Sequence, residues 1–215
     1  MPIDGETAHV YVTGRDLDRL NARGGQWFSW RFATRDWWWQ GHPYSLSAAP
    51  TPNTLRITVK NLGDQSGAIT GLRPGTRVIA EGPYGAFRAD RRHGDFVALI
   101  GAGIGMAPLL SLLDDLPRHV DAVVVYRASC LDQMPLRSDL ERLVSRREGR
   151  VHLHLLPGSR REHPMDGRSL ARLVPDIEHR DVYTCGPVEF IEAVGRASRE
   201  LGVTPDRIHD EDFQF

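Results

Sequence analysis

The chain is poor in cysteine, in unbroken hydrophobic runs and in any excess of one charge. Its two cysteines, Cys130 and Cys185, stand far apart and belong to no CxxC or Cys/His ligand spacing. That argues against a disulfide framework and an iron–sulfur cysteine set, and no metal site is expected. His152 and His154 alternate on one face of VHLHL without further ligands and read as structural. Formal net charge is −1, and the basic runs RRH (91–93) and SRRE (159–162) are short enough to be solvated faces, so nucleic acid is not an expected partner. The N-terminal MPIDGETAHVYV has no basic region followed by an apolar core, so it is not a secretory signal, and a cytoplasmic setting is expected.

A membrane span is also missing. FVALIGAGIGMAPLLSLL, residues 96–113, carries no charge over eighteen positions. It contains Gly101, Gly103 and Gly105, however, each costing about 1 kcal/mol relative to alanine inside a helix. Pro108 suits a helix's first turn, where its absent N–H matters least. The run therefore reads as a buried parallel strand (96–100), a glycine turn and a helix whose Leu109, Leu110, Leu112 and Leu113 face the sheet.

What remains divides into two textures. In the first half, TLRITVK (54–60) alternates apolar and polar residues as a half-buried strand does. AHVYVTG, QWFSWRF, HPYSLS and TRVIAEG are similar, and RGG, APTPN, RPG and GPYG punctuate them as turns. Many short strands of this kind predict a small antiparallel β-barrel. In the second half DFVALI, DAVVVY, RVHLHLL and DVYTCG alternate with the helical patterns APLLSLLDDL, PLRSDLERLVSRR and VEFIEAVGRASREL. Strand–helix repetition predicts an α/β domain with a parallel sheet. The boundary falls near residues 91–94, giving domains over 1–92 and 93–215.

Glycines let a backbone approach a phosphate, and a helix N-terminus offers it free N–H groups. The strict GxGxxG fingerprint fails, because its third glycine would fall on Met106 or Pro108. The acid that would hold a ribose is absent too; the next strand ends at Tyr126–Arg127.

Gly103-Ile104-Gly105-Met106-Ala107-Pro108 instead resembles the GxGxxP turn of the ferredoxin–NADP⁺ reductase superfamily. Further stations occur in that family's order. HPYSLSAAP (42–50) is similar to its flavin-binding RxYS segment, in the His-Pro-aromatic form of the ferric reductase and NADPH oxidase branch. RITVK (56–60), GPYGAF (82–87), CGP (185–187) and the closing HDEDFQF complete the series, from about residue 9 to 215.

The resemblance implies an FAD-binding barrel, short of its first strand, and an NAD(P)-binding domain. It implies hydride transfer from NAD(P)H to the flavin, then release of single electrons to haem or ferric iron. His42, Pro43, Tyr44 and Ser45 would bind the flavin, with the Tyr44 ring against the isoalloxazine and Ser45 near N5. Val59 and Lys60 would run beside the ribityl chain, and Ser66 and Gly67 would meet the pyrophosphate. Residues 103–108 would cradle the nucleotide pyrophosphate. Cys185, Gly186 and Pro187 would lie at the nicotinamide, Phe215 would cover the flavin, and Glu211 could support proton movement. Phe213 competes with Phe215 for the stacking role.

Two departures matter. The family's motif begins with Arg, whose fork binds flavin phosphate; His42 cannot reproduce it. Arg127 stands where an acid would prefer NAD, and Ser159-Arg160 resembles the family's 2′-phosphate pair, with Arg168 nearby. NADPH is therefore the expected donor, with NADH the alternative. In RDWWWQ (35–40) three consecutive tryptophans cannot all face one core, so at least one is expected at the surface. In that branch a haem-bearing membrane domain precedes the flavin domain, and the tryptophans are expected to face such a partner at the inner face of the membrane. Two other functions fit the same residues: a non-catalytic module with a degraded barrel, and a reductase that uses free flavin as substrate.

Overall fold

The computed structural model describes residues 1–34, 38–61 and 63–211, apart from the side chains of Asp64 and Gln65. The N-terminal half contains β1 (Thr7–Thr13), β2 (Trp27–Phe32), β3 (His42–Ser45), β4 (Thr54–Lys60), helix α1 (Asp64–Thr70) and β5 (Val78–Tyr84). All its pairings are antiparallel. β1 pairs with β4, β3–β2–β5 form a second sheet, and a Leu46–Ile57 bridge joins the two. The period of two puts Phe28, Trp30 and Phe32 of β2 and Leu55, Ile57 and Val59 of β4 into one core. The outer strand β5 is largely exposed.

The C-terminal half runs β6 (Phe96–Ala102), α2 (Met106–Asp115), β7 (Asp121–Ala128), α3 (Arg137–Ser145), β8 (Val151–Pro157), α4 (Gly167–Leu173), β9 (Asp181–Cys185), α5 (Val188–Glu200) and β10 (Ile208–Glu211). The five strands form a parallel sheet ordered β10–β9–β6–β7–β8. β6 is buried from Val97 onward, as a central parallel strand should be. No helix among the described residues is long and apolar enough to cross a membrane.

β4 departs from the expected half-buried strand. Its bounds match TLRITVK, but its polar residues Arg56 and Thr58 are buried as well. The reason lies across the domain junction. Arg56 Nη1 reaches Asp139 Oδ2 of α3 at 2.9 Å, and its Nε donates to Ser47 Oγ at 3.1 Å. His9 Nε2 meets the same Asp139 oxygen at 3.0 Å, and its Nδ1 lies 2.9 Å from Thr58 Oγ1. The hydrogen bond from His9, and behind it the charge of Arg56, pull the Asp139 carboxyl down to about 2.

Helix α2 extends the junction. Ser111 Oγ donates to the Ala48 carbonyl at 2.8 Å, and the Asp114 and Asp115 carboxylates accept the N–H groups of Ala49 (2.9 Å) and Gly24 (3.0 Å). A Cβ at Gly24 would stand 2.2 Å from the Ser111 carbonyl oxygen, so glycine is needed there for close approach to α2. α1, α4 and β10 have no counterpart among the predicted elements. α1 and α4 are seven residues long and β10 only four, too short for a clear period.

Candidate functional site

In an open parallel sheet, ligands sit outside the carboxyl ends of the strands where the order reverses. Here that point lies between β6 and β9. β6 runs into a short turn, Gly103–Gly105, and β9 ends at Cys185. A Cβ at Gly105 would stand 2.7 Å from the Cys185 carbonyl oxygen and 2.8 Å from Gly186 Cα, so the two loops touch backbone to backbone. Gly103 has a φ of +55°, and a Cβ there would meet nothing within 4 Å. The turn thus presents an open backbone surface at the head of α2.

Within residues 103–108 the roles divide. Gly103 and Ile104 are partly exposed, whereas the side chains of Met106, Ala107 and Pro108 are buried. Met106 packs under the strand: a Cβ at Gly101 would meet its methyl carbon at 2.7 Å. Any anion bound here would be held by main-chain N–H groups.

The C-terminal strand closes the crevice. β10 sets Glu211 beside Cys185. Glu211 Oε2 is buried and makes no hydrogen bond to a described residue, and burial pushes its carboxyl up to about 8. Its Oε1 reaches the barrel: a Cβ at Gly85 would meet that oxygen at 2.7 Å and Trp27 Cδ1 at 3.1 Å. Trp27 in turn is the register partner of Ser45. Ser45 Oγ is a second buried oxygen with no partner among the described residues. The structure thus sets Ser45 across from Trp27, whose ring lies near Glu211 at Gly85, and sets Glu211 beside Cys185, which the glycine turn touches. Cys185 itself is fully buried with Tyr183 in the sheet core, so Gly186 and Pro187 form the accessible part of CGP.

Tyr44 is half-buried beside Ser45, its carbonyl accepting the Trp30 indole N–H at 2.9 Å. His42 is buried, and burial lowers its pKa, so it stays neutral at pH 7 and offers no fixed charge. The Val59 side chain is in the barrel core, leaving only its backbone for a ligand. Lys60, the single lysine of the chain, reaches Gln133 Oε1 at 2.6 Å and Glu6 at 3.8 Å. Ser66 and Gly67 lie in α1, where Ser66 Oγ donates to the Gly63 carbonyl at 3.1 Å. Phe213 and Phe215 fall outside the described residues, as does Trp37.

Beyond the crevice lies a cavity of about 370 Å³, lined by Arg127, Arg160, His163, Glu189, Phe190 and Arg196 among others. Burial and the neighbouring charge of Arg160 lower the Arg127 pKa, and Arg127 Nε has no partner among the described residues. Arg160 is 3.7 Å from Glu189. Ser159, expected with Arg160 at a 2′-phosphate, donates its N–H to Glu162 Oε2 at 2.7 Å and accepts the Glu162 N–H on its hydroxyl at 3.3 Å. Arg196 of α5 carries no motif signal and was not among the expected residues; only the fold brings it to this cavity.

Residues 99–196 match the model of the oxidoreductase NAD-binding domain. The chain has the two-domain fold of the ferredoxin–NADP⁺ reductase superfamily, a fold for which FAD and NAD(P)H binding is expected, with flavohemoprotein-type reductase modules among its structural neighbours. The FAD/NAD-binding domain of nitric oxide dioxygenase from Vibrio cholerae superposes with a TM-score of 0.80 at 22% identity, covering 97% of this chain and 93% of that one. Glycine betaine monooxygenase reductase subunit of Chromohalobacter salexigens is 28% identical over 79% of this chain and 50% of its own. Flavohemoprotein of Bordetella pertussis is 29% identical over 81% and 48% respectively. The chain thus spans about half the length of these curated relatives.

Proposed function

We propose that the chain is an FAD-dependent NAD(P)H reductase that passes electrons singly to an iron acceptor, a haem or an oxygenase centre, carried by a partner. The observation behind this reading is the convergence of Ser45 and Glu211 with the Cys185–Gly186 and Gly103–Gly105 backbones at the switch point. Two buried oxygens without partners at one crevice fit a polar ring system better than a finished core. A bound flavin would accept the hydride of the nicotinamide and release electrons one at a time. The chain's own residues would supply alignment. Ser45 Oγ would meet a ring nitrogen, and Tyr44 would flank the ring. Glu211, neutral at pH 7, would hold a proton at that edge. The glycine turn would fix the nucleotide pyrophosphate.

Arg127, Arg160 and Arg196 around one cavity favour a dianionic phosphate, and hence NADPH over NADH. Trp38 and Trp39 are each 61% exposed with their rings edge-to-face at 6.0 Å, and this surface is where we place the acceptor-bearing partner. A haem-bearing membrane domain is the version of that partner that would set the chain at the inner face of the membrane. The flavohemoprotein and the monooxygenase reductase subunit among the relatives support a haem or an oxygenase partner as acceptor.

Anaerobic stopped-flow reduction of the FAD-loaded chain by NADPH tests the site. Ser45→Ala should retain flavin and slow its reduction about tenfold or more, the cost of a lost charge-assisted contact. An unchanged rate would remove Ser45 from the mechanism. One observation favours a second reading: neutral, buried His42 offers a flavin phosphate no charge, as in a reductase that uses flavin as a diffusing substrate. Flavin lost on gel filtration, with turnover restored by adding it back, would select that reading.

A further inference from the structure

The opposite, amino end of the sheet holds a cluster with a different chemistry. His93 lies in the segment before β6, Asp181 opens β9 and His209 is the second residue of β10. One ligating atom from each falls within 4.8 Å of the others. His93 Nδ1 is 3.0 Å from Asp181 Oδ1, and His209 Nε2 is 3.2 Å from the same oxygen. A tetrahedral ion bound at about 2.1 Å keeps its donors about 3.4 Å apart, so small side-chain shifts would seat one.

Each donor is also held from behind. His93 Nε2 faces Asp206 Oδ2 at 3.4 Å, the carboxylate–histidine support common around metal ligands. The His93 backbone N–H donates to Asp181 Oδ2 at 3.0 Å. The His209 ring stacks on Tyr183, with centroids 4.3 Å apart and planes 20° from parallel, and the Tyr183 hydroxyl donates to the Arg88 carbonyl at 3.2 Å. The Asp181 side chain is 1% exposed and that of His93 43%, so the cluster has a buried anionic floor and one side open to solvent. Two imidazoles and one carboxylate suit a borderline divalent cation rather than calcium or magnesium.

We propose that His93, Asp181 and His209 bind a divalent transition-metal ion of the zinc type, its fourth position open to water. Such an ion would tie the segment joining the two domains to the C-terminal strand. Asp181 is four residues from Cys185 along β9, about 13 Å at strand rise, so the ion would stand clear of the redox crevice. It would act on that crevice only through β9, which ends at Cys185, and through β10, whose Glu211 lies two residues beyond His209.

Chelator-treated, tag-free chain titrated with Zn²⁺ by calorimetry, with Co²⁺ as the spectroscopic probe, tests this. One equivalent should bind at micromolar concentration or tighter, raise Tm and give a Co²⁺ spectrum free of thiolate charge-transfer bands. His93→Ala and His209→Gln should each abolish the stoichiometric step while the circular dichroism of the fold persists. Asp206→Asn should weaken it about tenfold. Binding that survives both histidine substitutions, or no stoichiometric binding at ~0.1 mM Zn²⁺ where a site of this class should be filled, would overturn the proposal. The cluster would then be a hydrogen-bonded carboxylate alone.

Discussion

The carboxyl edge of the parallel sheet and the domain junction are built from similar residues and differ in how those residues are satisfied. At the junction Arg56, Asp139, His9, Ser47 and Thr58 close a network in which each charged group has a partner. At the carboxyl edge Ser45 Oγ, Glu211 Oε2 and Arg127 Nε are buried and lack partners among the described residues. A closed polar network holds one geometry, whereas buried polar atoms left open carry a cost that a ligand can relieve. On the reading proposed above, the contrast separates the part of the molecule that holds the domains together from the part that would bind a cofactor.

The junction should give the largest stability effect. Asp139→Asn leaves Arg56 buried without its counter-ion and should cost about 3–5 kcal/mol near neutral pH, measured by urea unfolding. The effect has a defined pH window. The Asp139 carboxyl sits at about 2 in the folded chain against an ordinary 3.8, so its contribution is complete above pH 4 or so and is lost as pH falls toward 2. The gap between wild type and Asp139→Asn should narrow across that window, and a constant gap would show that Asp139 does not titrate as a folded-state ion pair.

The carboxyl edge should respond mainly in activity, with a stability cost expected only where a side chain is forced against backbone, as at Gly105. Gly105→Val would drive a side chain into the Cys185–Gly186 backbone and should slow NAD(P)H-dependent flavin reduction roughly a hundredfold through misplacement of the nucleotide. Flavin content should stay unchanged, because the barrel is untouched. Arg127→Ala or Arg160→Ala should raise the KM for NADPH about tenfold and leave that for NADH near its starting value. Equal loss with both nucleotides would place the 2′-phosphate elsewhere. The smallest effect belongs to Trp38→Ser with Trp39→Ser. Both rings are exposed, so stability should move by less than about 0.5 kcal/mol and flavin reduction should be unaffected, while electron delivery to a partner slows. Slowed flavin reduction would move these residues from the partner surface into the cofactor site.

Much of the fold was readable along the chain. TLRITVK has the bounds of β4, and the glycines of residues 101–105 correctly turned an uncharged eighteen-residue run into strand, turn and helix. Local periodicity suffices where an element packs on a neighbour of its own domain. It failed for Arg56 and Thr58, which alternate like solvent-facing residues; Arg56 meets Asp139 of α3, eighty-three residues downstream, and Thr58 meets His9 of β1. Gly24 read as a turn residue, although it also marks where α2 passes close to the barrel. His93 read as part of a solvated basic run; its partners Asp181 and His209 are 88 and 116 residues away, and no spacing rule reaches that far. At the crevice, motif resemblance named Ser45, Cys185 and Glu211, but only the sheet order puts Glu211 beside Cys185, and only the packing at Gly85 brings it near Trp27. The burial of the Cys185 thiol and of the Met106 side chain was not legible either, because both follow from how β9 and α2 pack.

The central claim is that the open polar atoms at the carboxyl edge form the meeting place of flavin and nicotinamide. The most direct test is the visible spectrum of the chain loaded with FAD and passed over a desalting column, recorded before and after anaerobic NADPH. Retained flavin absorbance that bleaches within seconds, and does so far more slowly in Gly105→Val, is the predicted result. Flavin that stays oxidised in the presence of NADPH, or bleaches equally fast in that variant, would contradict it.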